Sequence, residues 1–157
     1  MSPYYMNTLE RRISMQNNHR VVLDTNCLIS SLSSNSENHK VWLALQRGEF
    51  ILCVSNEILE EYSEVIERLT TPEIANNVIM ALSKSEFVEF IDPHYHLDLI
   101  KSDPDDNKFV DCAFAANATY IVSEDRHLDV LKTIDFPKIL VLRLAEFVSI
   151  IRANLAY

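Results

Sequence analysis

The hydrophobic pattern of this chain alternates between short apolar runs and longer segments whose apolar residues recur every three or four positions. The short runs are mostly apolar throughout, which is typical of strands covered on both faces of a sheet. The longer segments have the spacing of amphipathic helices. The runs predict strands at 20–23, 50–54, 87–91, 120–122 and 139–142.

Residues that begin or end helices stand between these strands. Gly48 is expected to end a helix in the left-handed conformation, and Ser55 to cap the start of the next one. Pro72 and Pro104 suit the first turn of a helix, and Asp103 is expected to be the N-cap before Pro104. The predicted helices cover 25–47 with a serine-rich break at 30–36, then 56–69, 72–84, 104–118, 125–132 and 144–155.

Strands that alternate with helices in this way predict an α/β protein with a parallel sheet and helices on each side. A length of 157 residues suits a single domain. We place that domain at 20–157, after a polar, irregular arm at 1–19.

The composition narrows the possible functions. The chain has one glycine, Gly48, where average usage of ~7% predicts about eleven; this excludes the glycine-rich phosphate loops of dinucleotide-binding proteins and P-loop enzymes. Three cysteines without a CxxC spacing, Cys27, Cys53 and Cys112, predict buried thiols in a reducing compartment. With no apolar run near the ~18 residues of a membrane span and no signal-peptide core, we expect a cytoplasmic protein without membrane association.

The charge is strongly acidic, with 14 Lys and Arg against 23 Asp and Glu and a formal net charge of −9. Such a charge disfavours a protein that coats nucleic acid by neutralising phosphates. Acids recur where predicted strands end, at Asp24, in the glutamate-rich helix after Ser55, and in Ser123-Glu124-Asp125. Because sites of parallel sheets form at the carboxyl ends of the strands, and because clustered carboxylates repel one another, these positions predict a site for divalent cations.

Helix geometry selects the acids that face inward. On helix 56–69 the apolar stripe passes Tyr62 and Val65; Glu61 flanks the stripe, whereas Glu60 lies on the opposite, solvated face. On the helix after Asp103, Asp106 lies on the centre line of the stripe and Asp111 outside it.

Each of these acids also has a structural interpretation. Asp24 could be the N-cap of the helix that follows it, and Asp125 could cap 126–132. Asp106 stands in a first turn, where a carboxylate interacts favourably with the helix dipole. Four acids at the ends of strands and in the attached helices nevertheless favour a shared metal site over four separate caps.

Four motifs resemble those of PIN domains. The stretch VVLDTNCLIS is similar to their first motif, with Asp24, Thr25 and Asn26, and VSNEILEEYSEVI to their second, whose glutamate corresponds to Glu61. The stretch DPDDNKFVDCAFAANATYIVSEDRHL resembles motifs three and four of the subfamily grouped as toxins of toxin–antitoxin pairs, with Asp106 and Asp125 as the acids. Glu124 stands where Gly or Arg is common, and Asp111 competes with Asp106. The match spans about residues 20–145.

The resemblance implies a three-layer α/β/α sandwich with a mostly parallel, five-stranded sheet. It also implies an endoribonuclease that cleaves single-stranded RNA with Mg²⁺ or Mn²⁺, ions that hard oxygen ligands suit. Asp24, Asp106 and Asp125 would hold metal, and Glu61 would hold a second ion or orient the attacking water. Thr25 or Ser123 would hydrogen-bond a carboxylate or the phosphate. A homodimer and an antitoxin that blocks the cleft are the expected partners.

Other interpretations stay open at this stage. The acidic edge could be a vestigial site on a non-catalytic protein that binds nucleic acid or a partner. A receiver-like protein fits less well, since it needs an acidic pair before the first strand and a late lysine, and a phosphatase-like protein fits less well, since Asn26 interrupts the Asp-x-Asp pattern. Histidines 94 and 96 are interpreted as surface-loop residues, and His127 as a capping or surface residue. Lys108 and Arg126 are the candidate contacts for RNA phosphates.

Overall fold

Five parallel strands form the centre of the protein in a computed structural model that describes residues 19–155, and the side chains of 19–151. The strand order is β3-β2-β1-β4-β5, and each of the four neighbouring pairs is parallel. The predicted fold class is therefore confirmed, and every strand pairing is parallel. The strands are β1 Arg20–Leu23, β2 Ile51–Val54, β3 Val88–Phe90, β4 Tyr120–Val122 and β5 Leu140–Leu142.

Six α-helices flank this sheet in the described part of the chain, together with two 3₁₀ segments, Pro104–Asp106 and Arg126–Thr133. The expected Ser55 cap is present, since Ser55 accepts a hydrogen bond from Ile58 N at 3.3 Å. Thr71 caps the next helix in the same way, through Ile74 N at 3.2 Å. The helices are α1 Thr25–Leu32, α2 His39–Gln46, α3 Asn56–Leu69, α4 Pro72–Lys84, α5 Asn107–Ala116 and α6 Leu144–Leu155.

Gly48 follows α2 with a φ of +74°, as predicted for a left-handed helix end. The position excludes other residues for a second reason, because a Cβ there would lie 2.5 Å from the Phe87 ring. Gly48 therefore allows both the turn into β2 and the close approach of the segment before β3.

Three predicted helices differ in detail. The break expected at 30–36 lies at 33–38 and divides the segment 25–47 into two helices. Asp103 stands at the N-cap position before Pro104, as predicted, but its side chain makes no capping bond; Pro104–Asp106 is a 3₁₀ turn, and α5 begins only at Asn107. The helix expected at 125–132 is a 3₁₀ segment that Asp125 caps through His127 N.

The core packs around β1, the middle strand. Helix α5 packs against β1, β2 and β4, and Phe147 of α6 contacts the rings of Phe50 and Tyr120. The three cysteines are free and buried as predicted, and burial raises the pKa of each thiol to about 11 or 12. Of the helices described, none has the length and apolar character needed to cross a membrane. The predicted arm lies outside the described residues except for His19, whose carbonyl accepts from Ile51 N at 2.9 Å.

Candidate metal and active-site cleft

The topology places the end of β1 at the centre of the site. Because β2 and β4 lie on either side of β1, the connections diverge there and leave a crevice at the carboxyl edge. Asp24 N donates to Val122 O at 3.0 Å and extends the β1–β4 pairing by one residue. The side chain of Asp24 therefore stands at the edge of the sheet in a defined position.

Asp24 caps α1, one of the roles considered from the sequence, and its carboxylate also lines the cleft. It accepts hydrogen bonds from Thr25 N at 2.7 Å and from Ser123 Oγ at 2.5 Å. Burial raises the pKa of Asp24, the hydrogen bonds partly offset this, and the charges of Glu61 and Asp125 raise the pKa further.

Glu61 reaches the same cleft because its neighbour Tyr62 ties α3 to β1. The fully buried Tyr62 donates its hydroxyl proton to Leu23 O at 2.5 Å. The carboxylate of Glu61 accepts from the Thr25 hydroxyl and lies 2.8 Å from Lys108 Nζ. Glu60, one position away, is exposed, as the helical spacing predicts.

Asp106 and Asp125 form a coupled pair. Asp106 is 7% exposed and its Oδ2 lacks a hydrogen-bond partner among the described residues. Burial, a hydrogen bond with Asp125 and repulsion from that carboxylate raise the pKa of Asp106 to about 8. Burial acts on Asp125 in the same direction, but its bonds to Asp106 and His127 N outweigh it and lower the pKa of Asp125. At neutral pH, the pair therefore holds one proton when no cation is bound.

Ser123 connects Asp24 to Asp125 without lining the cleft itself. Its buried hydroxyl donates to Asp24 and accepts from Asp125 N at 2.9 Å. Thr25 has the corresponding role for Glu61. Both hydroxyls therefore orient carboxylates, one of the roles that the sequence left open for them.

The four acids named from the sequence line one cleft of about 460 Å³. Its walls mix carboxylates with one cationic and two apolar side chains, so the cavity is strongly acidic. The lining residues are Asp24, Thr25, Asn26, Glu61, Val65, Arg68, Asp106, Phe109, Glu124 and Asp125.

A tighter group lies within this region. One ligand atom each from Asp103, Asp106, Asp125 and His127 lies within 4.8 Å of the others. Asp24 and Glu61 line the cleft but do not belong to this group. Sequence reasoning missed Asp103 and His127 because both were explained as caps or surface residues. Their positions, three before Asp106 and two after Asp125, were the available signal.

The secondary candidate Asp111 lies elsewhere. The residue is 6% exposed, and its carboxylate accepts from Leu97 N at 3.0 Å and lies 3.4 Å from His96 Nδ1. It is not among the residues that line the cleft. Asp111 therefore anchors the segment before α5, whereas Asp106 faces the cleft.

Two charged residues near the cleft have partners that the sequence did not predict. Lys108 lies 2.8 Å from Glu61 and 3.1 Å from Asp105, so carboxylates engage the ammonium that was expected to contact phosphate. Glu124, which departs from the PIN motif, accepts from Leu144 N at 2.7 Å and so holds the start of α6. Arg68 lines the cleft and Arg126 is exposed.

Comparisons with known proteins give a family and a similar solved structure for this chain. The sequence profile of the PIN domain matches residues 20–127, so the chain belongs to the PIN domain family. Among solved structures, a chain of VapBC2 from Rickettsia felis, crystallised with a DNA fragment from their promoter, is similar. The two share 18% sequence identity and superpose with a TM-score of 0.56 over 79% of this chain and 98% of the other. A comparison with curated proteins gives no significant match.

Proposed function

We propose that this PIN domain is an endoribonuclease that cleaves single-stranded RNA with Mg²⁺ or Mn²⁺ and is the toxin of a toxin–antitoxin pair. The observation that carries the proposal is the convergence of Asp24, Glu61, Asp106 and Asp125 on one cleft. The buried Oδ2 of Asp106, which has no hydrogen-bond partner among residues 19–151, fits this interpretation, because a buried carboxylate oxygen without a partner is costly unless a ligand satisfies it.

The residues of the cleft have different roles in the proposed reaction. Asp106 and Asp125, with Asp24 beside them, would hold the cation, and Glu61 would hold a second ion or orient the attacking water. When bound, a divalent cation lowers the pKa of a coordinated water and stabilises the charge that develops on the scissile phosphate. Ser123 and Thr25 would keep Asp24 and Glu61 in position through the hydrogen bonds described above.

The substitution Asp24→Asn tests the proposal most directly. It keeps the size of the side chain but removes one charge from the cleft, so Mg²⁺-dependent cleavage of single-stranded RNA should fall by about 100-fold or more. Folding should survive, because one of several mutually repelling charges is removed. The measurement is cleavage of a mixed-sequence RNA with Mg²⁺, with Mn²⁺ and with chelator, alongside thermal melts.

The matched control is Glu60→Gln, on the exposed face of the same helix as Glu61, which should cleave at the parent rate. Cleavage that resists chelator, or equal rates for Asp24→Asn and parent, would refute a metal-dependent nuclease. Absence of RNA cleavage by the parent under all these conditions would favour the non-catalytic alternative. That alternative is a PIN-like protein that binds nucleic acid or a partner through a vestigial site.

The partner proposals rest on the PIN family and on the VapBC2 likeness. We expect a cytoplasmic homodimer and a small antitoxin, encoded by an adjacent gene, that covers the cleft. Size-exclusion chromatography with light scattering tests the first expectation. A monomer at high concentration, together with the absence of a small neighbouring gene, would count against the pair.

A further inference from the structure

The group of Asp103, Asp106, Asp125 and His127 shares Asp106 and Asp125 with the cleft and differs from it in chemistry, since it contains an imidazole. His127 Nδ1 lies 3.3 Å from Asp125 Oδ1 and 3.7 Å from Asp103 Oδ2. The ring is half exposed, so a cation from solvent can reach it. The group thus presents three carboxylates and one nitrogen donor within a few ångströms.

Two short local structures bring these residues together. Asp106 N donates to Asp103 O at 3.0 Å in the 3₁₀ turn before α5. Asp125 Oδ1 accepts from His127 N at 2.9 Å at the start of the second 3₁₀ segment. Because the backbone makes both turns, the four side chains are held near one another before any ligand binds.

The burial of Asp106 is an independent sign of a ligand. Its side chain is 7% exposed, and its Oδ2 has no hydrogen-bond partner in the part of the chain that the structure describes. The contacts of His127 with Asp103 and Asp125 leave that inner oxygen unsatisfied within the described part of the chain. A divalent cation bound by the four side chains would satisfy it and offset the repulsion among the three carboxylates.

We propose that Asp103, Asp106, Asp125 and His127 form a mixed carboxylate–imidazole site that binds Mn²⁺ in preference to Mg²⁺, with His127 as the ligand that discriminates. The inference rests on the proposed function in that it takes the cleft to hold a divalent cation. Mg²⁺ is a hard ion that favours oxygen ligands and retains its waters. Carboxylates suit both Mn²⁺ and Mg²⁺, so the three acids alone would not separate the two ions. Mn²⁺ is the softer ion and gains more from an imidazole nitrogen than Mg²⁺ does, so the histidine should shift the preference of the site.

The experiment measures cation binding to the full chain without RNA. Free Mn²⁺ is followed by electron paramagnetic resonance as protein is added, and Mg²⁺ is then used as a competitor. The variants are His127→Gln, which removes the imidazole, and His94→Gln, which removes an exposed imidazole from the loop after β3 and outside the group. Circular dichroism and thermal melts confirm that each variant folds.

Parent protein should bind Mn²⁺ more tightly than Mg²⁺, and His127→Gln should weaken Mn²⁺ binding by roughly tenfold or more while leaving Mg²⁺ binding little changed. His94→Gln should match the parent. Equal loss of both ions in His127→Gln would assign the histidine to a structural ion pair and overturn the inference, as would an unchanged Mn²⁺ affinity.

The experiments distinguish failure of the proposed Mn²⁺ site from failure of the nuclease proposal. Mn²⁺ selectivity that depends on His127, in a protein that cleaves no RNA, supports the site and contradicts the nuclease. Chelator-sensitive cleavage in a protein whose His127→Gln variant binds both ions normally supports the nuclease and overturns the role of His127.

Discussion

The carboxylates of the cleft differ in the partners that already hold them. Glu61 accepts from the Thr25 hydroxyl and pairs with the ammonium of Lys108, so it has a cation of its own within the fold. Asp106 has an oxygen without such a partner in the part of the chain that the structure describes. The need for an external cation is therefore concentrated at Asp106 and its neighbours, while Lys108 neutralises part of the charge at Glu61.

This difference predicts that Lys108→Ala destabilises the protein when no divalent cation is present. The side chains of Lys108 and Glu61 are 11% and 23% exposed, and loss of one partner from such a pair leaves a poorly solvated charge. The free energy of unfolding should fall by about 1–3 kcal/mol, below the cost for a fully buried pair. Urea denaturation with chelator present measures it.

The control for that prediction is Lys40→Ala, which breaks an exposed pair with Glu37 in which the two side chains are 38% and 60% exposed. Exposed pairs contribute about 1 kcal/mol or less, so this variant should resemble the parent. Equal losses in the two variants would show that the Lys108 pair is no stronger than an ordinary surface pair.

At the scale of elements, α5 and the turn before it contact two different parts of the molecule. The turn before it presents Asp106 to the cleft, while Asn107 and Asp111 hold the segment that precedes it. The Asn107 side chain accepts from Ile100 N at 2.9 Å and donates to Ile100 O at 3.0 Å, and Asp111 accepts from Leu97 N. Asp106, in the turn before α5, therefore faces the cleft, whereas Asp111, five residues later in α5, holds the preceding segment.

We accordingly expect Asp111→Ala to loosen the segment 92–103 without removing the cation site. Loss of its bond to Leu97 N should lower the free energy of unfolding by about 1–3 kcal/mol and speed amide exchange in that segment. Mn²⁺ binding, measured as above, should stay within about threefold of the parent, because a lost first ligand would cost tenfold or more.

Asp106→Ala is the matched comparison and should have the opposite pattern, with cation binding lost and the segment little affected. If Asp111→Ala abolished cation binding while leaving amide exchange unchanged, the two acids would have to exchange roles.

At the scale of the whole molecule, the fold gathers negative charge at one edge of a protein whose formal net charge is already −9. The carboxylates of Asp24 and Asp106 both have raised pKa values, with burial as the largest cause. An ionised group with a raised folded-state pKa destabilises the native state. Without a cation, the cleft therefore costs stability, which is consistent with a site selected for ligand binding.

The pH dependence of stability follows from these shifts. The folded-state pKa of Asp106 is about 8 against an ordinary value of 3.8, so its proton stabilises the native state below about pH 4 and this contribution is lost as the pH rises through 8. In chelator, Asp106→Asn should become progressively more stable relative to the parent from pH 5 to pH 8.5. The difference should exceed about 1 kcal/mol, since one pKa unit corresponds to about 1.4 kcal/mol.

Thermal melts at several pH values measure this effect, with Asp135→Asn, at an exposed position before β5, as the control with a profile parallel to the parent. Saturating Mn²⁺ should stabilise the parent and have little effect on Asp106→Asn, because ligand binding to the native state raises stability by mass action. If the stability of Asp106→Asn and that of the parent changed in parallel with pH, the raised pKa of Asp106 would be ruled out.

Much of this architecture is determined by local sequence. Apolar runs, caps such as Ser55 and Thr71, and the left-handed Gly48 depend on residues a few positions apart, so periodicity and capping chemistry predict them. The placement of Asp24, Glu61, Asp106 and Asp125 at one cleft follows from strand ends and helical phase. Strand ends and helical phase can both be determined from neighbouring residues, once the sheet is taken as parallel.

Contacts between segments that lie far apart in the chain were decided only by the tertiary structure. Lys108 meets Glu61 because α5 and α3 meet beside β1, and Asp103 meets His127 because two 3₁₀ turns approach the same edge of the sheet. Asp111 was a secondary candidate beside Asp106, and only the fold placed Leu97 N against its carboxylate. Helical phase predicts the direction of a side chain, but the partner that it meets depends on how the sheet arranges distant segments.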